Sequence, residues 1–352
     1  MSSRVREILL AARENRSFSA AAWSYGDHTG SWDRGVVGTL SWDGDDAAEG
    51  SHWDLASVTK PIVATAVMSL VESGELSLED TAGDYLHDYP DHNASLKVRD
   101  LLTHTSGLPG QVPLFRWNPT SETLLAAVRN LARVTPPGTS VFYSSQGYIV
   151  LGLIAEAASG LSLDQLVRER VFSPAGMANS SFGLPAPMRA NAVATEDDPW
   201  RGRVVQGEVH DENAAVIGRA AGHAGIFSTL ADMELLGQAL CSEGLGSNGR
   251  ILSAQTYRVM SAQRTDHLNH RRTLGWMGAD PVTSHAGDLI GPNGYGHNGF
   301  TGTSLWIDPD SRRYSVLLTN RVHPSRSNTS IARVRTLVNN VAFGSAAPTG
   351  AR

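Results

Sequence analysis

The segments of this chain that have the pattern of β-strands lie near its two ends, and this arrangement restricts the fold more than any other feature. Near the N-terminus they are Phe18 to Tyr25 and Val36 to Trp42, and near the C-terminus they are Thr303 to Ile307 and Tyr314 to Thr319. The patterns between about residues 80 and 275 are mostly helical, with connecting loops rich in Pro and Gly. We therefore expect the strands of both ends to share one sheet, with the helical segment inserted between them.

A helix is predicted beside each of the two strand regions. Residues 2–14 and residues 327–343 repeat apolar side chains at helical spacing. These patterns predict an α/β (α+β) fold, in which an antiparallel sheet is flanked by N- and C-terminal helices and an all-helical domain is inserted. We place the α/β domain at residues 1–80 and 276–352 and the inserted helical domain at residues 81–275, with a cleft between the two.

The composition excludes several classes of function. The chain of 352 residues has 29 basic and 35 acidic side chains, so no basic excess is present and no nucleic-acid partner is expected. No apolar run is long enough to span a bilayer, and the charged N-terminus is unlike a secretory signal. We therefore expect a cytoplasmic protein with no membrane partner. The single cysteine, Cys241, excludes an internal disulfide and any CxxC motif.

The first chemical motif is S-V-T-K at Ser57 to Lys60. The chain has only two lysines, Lys60 and Lys97, and a lysine can lose its proton where an arginine cannot. On a helix, the i, i+3 spacing brings the Ser57 hydroxyl and the Lys60 amine to one face, as a nucleophile and its base require. The alternative interpretation is that Ser57 caps the helix and Lys60 extends along its surface.

The second motif is Y-S-S at Tyr143 to Ser145, which precedes an apolar helix predicted at residues 149–157. A phenol beside a lysine can relay a proton to a leaving group. The alternative is a tyrosine that packs at the start of a helix, with a serine as the cap.

The third motif is H-N-G-F-T-G at His297 to Gly302, which leads into a predicted strand. Backbone N–H groups along such a strand edge can stabilise an oxyanion, although Asn-Gly is also a common hairpin turn. Gly294, Gly296 and Gly299 match the dinucleotide pattern G-x-G-x-x-G. Because a strand and not a helix follows them, no dinucleotide is expected, and no other cofactor is implied.

Two groups of histidines raise the question of a metal site. Residues 210–212 have the sequence H-D-E and are followed by His223, while His267 and His270 form a second pair. Neither group has a recognised ligand spacing, so no metal is expected.

Taken together, S-V-T-K at Ser57, Y-S-S at Tyr143 and H-N-G at His297 resemble, in order and spacing, the serine β-lactamase-like family. This family includes class C β-lactamases, DD-peptidases, carboxylesterases and acyltransferases. The resemblance covers about residues 15 to 345 and implies a β-lactamase/transpeptidase-like fold.

Three further stretches look like signatures of the same family. They are L-L-T-H-T-S-G-L at 101–108, P-G-T-S-V-F-Y-S-S-Q-G-Y at 137–148 and G-H-A-G-I-F-S-T at 222–229. More narrowly, the segment from A-T-E-D at 194–197 through G-E-V-H-D-E-N-A at 207–214, with G-H-N-G-F-T-G-T-S-L-W-I-D-P at 296–309, is similar to one branch of the family. That branch contains muropeptide-recycling amidases and penicillin-binding-protein-like hydrolases.

The resemblance implies a catalytic role for three side chains. Ser57 would be the nucleophile, Lys60 its base or base partner, and Tyr143 the proton relay to the leaving group. The backbone N–H groups of Ser57 and Phe300 would stabilise the oxyanion.

The remaining candidate residues are expected to bind substrate: Ser145, His297, Asn298 and Gly299, with His223 at the border of the same cleft. Ser145 stands where the family often has Asn, and His297 stands where β-lactamases have Lys. Strong β-lactamase activity is therefore not expected. DD-peptidases and esterases of the family carry His at that position, so acyl chemistry is still implied.

The implied function is that of a serine hydrolase, which cleaves an amide or ester through an acyl-enzyme on Ser57. The substrate would be a small molecule or a peptide, cell-wall-derived or similar. Two alternatives stay open. An acyltransferase would pass the same acyl group to an amine or alcohol instead of water, and a non-catalytic homologue would bind its ligand without forming an adduct.

Overall fold

The computed structural model of the chain describes residues 3–87, 89–280 and 282–347. Its strands are β1 (Ala20–Asp27), β2 (Gly30–Gly38), β3 (Trp53–Asp54), β4 (Ser181–Phe182), β5 (Ala194–Asp198), β6 (Arg203–Gln206), β7 (Ile226–Ser228), β8 (Leu245–Gly246), β9 (Gly249–Arg250), β10 (Met277–Gly278), β11 (Tyr295–Asn298), β12 (Ser304–Asp308) and β13 (Arg313–Thr319). The principal sheet has six strands in the order β10-β11-β12-β13-β1-β2. All of its neighbouring strands are antiparallel.

The helices occupy most of the chain between the two strand regions. They are α1 (Arg4–Glu14), α2 (Thr59–Ser73), α3 (Ala82–Tyr85), α4 (Asp91–Ala94), α5 (Val98–Leu102), α6 (Ser121–Arg129), α7 (Ser145–Ser159), α8 (Leu163–Val167), α9 (Ser173–Ala175), α10 (Glu212–Ile217), α11 (Leu230–Cys241), α12 (Ala254–Ser261) and α13 (Ile331–Gly344). Shorter 3-10 turns lie at Ala56–Val58, Leu114–Arg116 and Ala186–Asn191, and a π-helical turn lies at Arg168–Phe172.

The two ends of the chain share one sheet, as the sequence predicts. Strand β1 pairs with β13 over its length, from Ala21 opposite Thr319 to Asp27 opposite Arg313. Its other edge pairs with β2. The antiparallel sheet and its flanking terminal helices are therefore confirmed.

The side chains of β1 alternate between two apolar layers. Ala21, Trp23 and Tyr25 belong to a cluster that includes residues of α1 and α13, whereas Ala20 and Ala22 belong to the main core on the opposite face. This is the two-residue period of a strand that is covered on both faces. Helix α11 packs on the core face of the sheet, against β13 and β1.

Helix α2 is the central helix of the main core. Its residues from Thr59 to Leu70 are all buried, so it is covered on every side. It ends at Gly74, whose φ of +77° is a left-handed conformation that glycine adopts without a steric penalty. The 3-10 turn Ala56–Val58 directly precedes this helix, so Ser57 lies at its start.

The second N-terminal strand lies earlier than its sequence pattern predicts. The pattern favours Val36 to Trp42, whereas β2 is Gly30–Gly38. The tight turn after β1 sets this register, because Asp27 pairs directly with Gly30. Leu40 lies beyond the strand and is buried in the main core.

The segment between the strand regions is mostly helical, but the expected all-helical composition is not complete. The pairs β5–β6 and β8–β9 lie within it, and β4 and β7 form a three-stranded sheet with β3. Strands of two to five residues are too short for a two-residue period to be recognised in the sequence.

The domain division at residues 81 and 275 remains a prediction. Residues 1–2, 88, 281 and 348–352, which it includes, lie outside the described residues. Within the described ranges, no single helix is both long and apolar enough to cross a membrane, and Ser145–Ser159 with Leu163–Ala175 meets those criteria only as a pair bent by 81°.

Candidate active site

Three element ends meet beside the principal sheet: the start of α2, the start of α7 and the end of β11. Lys60 Nζ lies 5.0 Å from the centroid of the Tyr143 ring. The centroid of that ring lies 6.0 Å from the His297 ring. The fold therefore brings the three sequence motifs together in one place.

Ser57 lies in the 3-10 turn before α2, and Lys60 lies in the first turn of that helix. The i, i+3 spacing puts Lys60 Nζ 3.0 Å from Ser57 Oγ, within hydrogen-bond distance. Ala56 has a φ of +47°, which is uncommon for alanine, and its N–H donates to Asp54 Oδ1 at 2.8 Å. The Asp54 carboxylate thus holds a strained residue directly before the candidate nucleophile.

Lys60 is fully buried. Its Nζ donates to Ser57 Oγ and, at 2.9 Å, to the backbone carbonyl of His223. Both acceptors are neutral oxygens. Burial shields the amine from water, and the hydrogen bond to Ser57 orients it toward the hydroxyl. A base for Ser57 requires this arrangement.

The Tyr143 ring is surrounded by basic side chains. Besides Lys60, the guanidinium carbon of Arg272 lies 5.4 Å from its centroid, and the ring of His104 lies 4.6 Å away. Tyr143 is partly exposed in the loop before α7. Its position near Lys60 is compatible with the proton relay that the sequence predicts.

His104 holds the loop that carries Tyr143. Its Nδ1 accepts a hydrogen bond from the Ser144 N–H at 3.1 Å. Burial lowers the pKa of His104 well below its ordinary value, and the nearby cations Arg272 and Lys60 lower it further. The imidazole is therefore neutral and available as an acceptor.

The two serines after Tyr143 have different roles. Ser144 is the N-cap of α7, since its Oγ accepts from the Gly147 N–H at 3.0 Å. Ser145 is nearly buried and lines a cavity of about 190 Å³ together with Ser57 and Phe300. The structure thus places Ser145 beside the candidate nucleophile, and its substrate-binding role stays a prediction.

Gly299 and Phe300 bring the end of β11 to the nucleophile. A Cβ at Gly299 would lie 2.5 Å from the Leu55 carbonyl oxygen, so only glycine permits this close approach. The Phe300 carbonyl accepts from Arg321 Nε at 2.7 Å, which fixes its backbone. The two expected oxyanion donors, the backbone N–H groups of Ser57 and Phe300, therefore belong to residues that line one cavity.

His297 is a buried, neutral residue. Its Nδ1 donates to the Asn298 carbonyl at 2.9 Å, and its Nε2 is buried without a hydrogen-bond partner in the structure. Burial lowers its pKa well below the ordinary value, and Arg272 and Lys60 add to the effect. His297 therefore supplies no fixed positive charge.

The Asn298 side chain is held by hydrogen bonds within the protein, and its substrate-binding role stays a prediction. Its Nδ2 donates to the Ser284 carbonyl at 2.7 Å, and its Oδ1 accepts from Trp306 Nε1 at 3.2 Å. Both ends of the amide are thus used within the protein. The side chain therefore joins β11 to its neighbours.

His223 contributes to the site through its backbone. The carbonyl contacts Lys60, while the ring Nε2 donates to Asp211 Oδ1 at 2.9 Å. His210 contacts a different carboxylate, Glu196, at 2.9 Å. Among the residues that the structure describes, no group of three or more His, Cys, Asp or Glu side chains is arranged to hold a metal ion.

Sequence reasoning missed three residues near the site: His104, Asp211 and Arg272. His104 lies in the stretch 101–108 and Asp211 lies in the stretch 207–214, and both stretches resemble the family without indicating a role for either residue. Arg272 lies in a region with no recognisable motif. Its position beside Tyr143 is visible only in the folded chain.

Comparisons with known proteins identify the family of the chain. The family model described as Beta-lactamase matches residues 14–340. A putative D-alanyl-D-alanine carboxypeptidase of Escherichia coli (strain K12) is 29% identical, over 79% of this chain and 70% of that protein. A protein of the same name from Salmonella enteritidis PT4 is 30% identical, over 92% of this chain and 80% of that protein.

Solved structures share the fold at low sequence identity. The octameric penicillin-binding protein homologue from Pyrococcus abyssi has a TM-score of 0.78 at 20% identity, over 97% of this chain and 77% of that chain. EstCE1, a hydrolase with promiscuous acyltransferase activity, has a TM-score of 0.79 at 19% identity, over 97% of this chain and 98% of that chain. With the family match across nearly the whole sequence, these findings show that the chain belongs to the beta-lactamase family of serine hydrolases.

Proposed function

We propose that the protein cleaves an amide or ester of a peptide or similar small molecule through an acyl-enzyme on Ser57, and releases the acyl group to water. The observation that carries this proposal is the 3.0 Å hydrogen bond between Ser57 Oγ and the fully buried Lys60 Nζ. A lysine amine that is shielded from solvent and hydrogen-bonded to a serine hydroxyl has the arrangement of a base with its nucleophile.

The proposed reaction has two stages. In the first, Ser57 Oγ attacks the substrate carbonyl carbon and its proton passes to the Lys60 amine, which acts as the base. The oxyanion is stabilised by the N–H groups of Ser57 and Phe300. The bond to the leaving group then breaks, and Tyr143 and Lys60 return the proton to it. In the second stage, water attacks the acyl-enzyme by the same steps and frees Ser57.

The names of the relatives support an amide substrate of the peptide type. The two curated relatives compared above are both described as putative D-alanyl-D-alanine carboxypeptidases. In this chain, a cavity of about 550 Å³ lies next to the smaller cavity that contains Ser57. The two cavities would hold the leaving group and the acyl group of such a substrate.

Acyl transfer is the second candidate. The larger cavity has room for an amine or alcohol acceptor, which would compete with water for the acyl-enzyme. EstCE1 and a simvastatin synthase mutant from Aspergillus terreus, with a TM-score of 0.73, have the same fold. The choice between hydrolysis and transfer rests on the lifetime of the acyl-enzyme with each acceptor.

Intact mass spectrometry tests the proposal. Wild-type protein and Ser57→Ala are mixed with an activated acyl ester, with and without an amine acceptor, and quenched at intervals. We expect a transient adduct in the wild type only, with circular dichroism confirming that Ser57→Ala is folded. Decay that is independent of the amine indicates a hydrolase, and decay to an amide indicates a transferase. Saturable binding with no adduct would indicate a non-catalytic homologue and would contradict the proposal.

The proposal extends to location and partners. A cytoplasmic location, with a small-molecule or peptide substrate and no nucleic-acid or membrane partner, follows the expectation from composition, including the net charge of −6. Cell fractionation with an antibody against the protein tests the location. Recovery in the membrane or secreted fraction would contradict it.

A further inference from the structure

Arg335 is a buried cation that helix α13 carries to the back of the candidate active site. The residue is only 6% exposed, and it forms no ion pair with a carboxylate of the described residues. Burial and the neighbouring cation Arg321 lower the pKa of Arg335 from 12.5 to about 9, so the guanidinium keeps its charge at pH 7. Because a buried charge without a counter-ion destabilises a fold, packing alone does not explain an arginine at this position.

The guanidinium of Arg335 donates to two carbonyls of the turn that follows β11. Its Nη2 lies 2.7 Å from the Gly299 carbonyl oxygen and 2.9 Å from the Thr303 carbonyl oxygen. The Gly302 N–H also donates to the Gly299 carbonyl, at 3.1 Å. The Gly299 carbonyl therefore accepts one neutral and one charged hydrogen bond, and the charged one is the stronger of the two.

The Gly299 carbonyl and the Phe300 N–H belong to the same peptide group. The C–N bond of a peptide has partial double-bond character, so its oxygen and its nitrogen share one electron system. A cation at the oxygen draws electron density from the nitrogen and makes the N–H a stronger donor, as in a chain of cooperative hydrogen bonds. Within the described ranges this N–H donates to no other group, and Phe300 lines the cavity that contains Ser57.

We infer that Arg335 is a positioning residue for the proposed reaction: its charge polarises the Gly299–Phe300 peptide and so strengthens the Phe300 N–H that stabilises the oxyanion. The inference rests on the proposed function and adds a residue that acts through the backbone. Its effect grows as the substrate oxygen becomes negative, so it lowers the barrier more than it aids binding. Arg321 differs, because its Nε donates to the Phe300 carbonyl at 2.7 Å, which belongs to the next peptide group.

Two matched esters test the inference: 4-nitrophenyl acetate and its thiono analogue, in which sulfur replaces the carbonyl oxygen. With either ester the Ser57 Oγ–acyl bond forms, the bond from the acyl carbon to the phenol oxygen breaks, and 4-nitrophenol leaves with the proton. Sulfur accepts hydrogen bonds weakly, so the ratio of the two kcat/KM values, oxygen ester over thiono ester, reports the strength of the oxyanion donors. A change in the amount of folded enzyme alters both values equally and leaves this ratio unchanged.

Substitutions of Arg335 separate its charge from its hydrogen bonds. Arg335→Gln keeps a donor to the turn but is neutral. It should lower kcat/KM for the oxygen ester by about tenfold and for the thiono ester much less, so that the ratio falls by about tenfold. Arg335→Lys keeps the charge and should retain most of the wild-type ratio. Arg333→Gln is the matched control, because it removes an exposed cation from the same helix, and it should keep the wild-type ratio.

The outcomes separate this inference from the proposed function. If the oxygen ester does not acylate Ser57 in the wild type, the proposed function fails. If it does and Arg335→Gln keeps the wild-type ratio, the inference about Arg335 is overturned and the hydrolase proposal stands. A ratio that falls as far in Arg335→Lys as in Arg335→Gln also overturns it, because the charge is then not responsible.

A second neutral variant covers the case in which Arg335→Gln does not fold. Arg335→Met is neutral and apolar, and it should lower the ratio at least as far as we expect for Arg335→Gln. If neither neutral variant folds while Arg335→Lys does, the charge of Arg335 serves the fold and the inference is overturned.

Discussion

The imidazole of His223 donates to the carboxylate of Asp211 at 2.9 Å, and the carbonyl of the same histidine accepts from Lys60 Nζ at 2.9 Å. Asp211 therefore fixes His223, and His223 fixes the candidate base. Burial raises the pKa of Asp211, but its interactions with His223 more than offset this and hold that pKa well below the usual range. The carboxylate thus stays ionised and keeps its hydrogen bonds.

Asp211→Ala should affect both activity and stability. The variant loses the contact with His223 and the N-cap of α10, where Asp211 Oδ1 accepts from the Ala214 N–H at 2.9 Å. We expect kcat to fall by about 10- to 100-fold, since Lys60 is less well positioned. The free energy of unfolding should fall by about 1–2 kcal/mol. Asp211→Asn can keep the cap and should recover most of the stability; wild-type kcat in the alanine variant would exclude the positioning role.

Lys60→Arg should be inactive although it preserves the positive charge. An arginine cannot lose its proton, so it cannot take the proton of Ser57. We expect kcat to fall by about a thousandfold or more. Lys97→Arg is the matched control, because Lys97 is partly exposed and pairs with Glu79 at 2.9 Å. The control should stay within about twofold of wild type. A Lys60→Arg variant with near wild-type kcat would show that Lys60 is not the base.

Stability should depend on pH through Glu196. Burial raises the pKa of Glu196, but hydrogen bonds from His210 and Arg326 outweigh burial and lower it from 4.5 to about 2. A carboxyl with a depressed pKa in the folded state contributes stability above pH 4.5, and this contribution is lost as the pH falls toward 2. Wild type should therefore be more stable than Glu196→Gln at pH 6, and the difference should shrink at pH 3. Urea unfolding of both proteins at both pH values measures this difference in the free energy of unfolding. A difference that is the same at pH 6 and pH 3 would contradict the prediction.

Arg272→Met should stabilise the protein. The variant deletes a buried, unpaired charge and keeps a long apolar side chain. We expect the free energy of unfolding to rise by about 1–4 kcal/mol. Arg271→Met should do the opposite, since it breaks an ion pair and two hydrogen bonds to carbonyls. Chemical denaturation compares the two variants with wild type. A less stable Arg272→Met would contradict the prediction.

The sequence predicts those parts of the site that depend on local geometry. Ser57 and Lys60 are three residues apart on one helical turn, so their hydrogen bond follows from helix geometry alone. The resemblance of the motifs to a known family adds Tyr143 and the Phe300 N–H, and the structure places both residues beside that pair.

Contacts between distant segments could not be predicted in this way. Strand β2 begins earlier in the chain than its apolar pattern predicts. The reason is that the turn after β1, and not the run of apolar residues, sets the register of this hairpin. Asn298 occupies a motif position, but Ser284 and Trp306 use both ends of its amide. Nothing in the neighbouring sequence indicates either contact.

The sequence by itself determined the strand regions at both ends, the mostly helical segment between them and the pairing of the candidate nucleophile with its candidate base. These features depend on spacings of two to four residues, which the chain carries locally. Only the tertiary structure decided that His223 acts through its carbonyl and that Arg272 lies against Tyr143. Their positions depend on how segments more than a hundred residues apart pack together, and the charge of a buried group depends on all the neighbours that packing gives it.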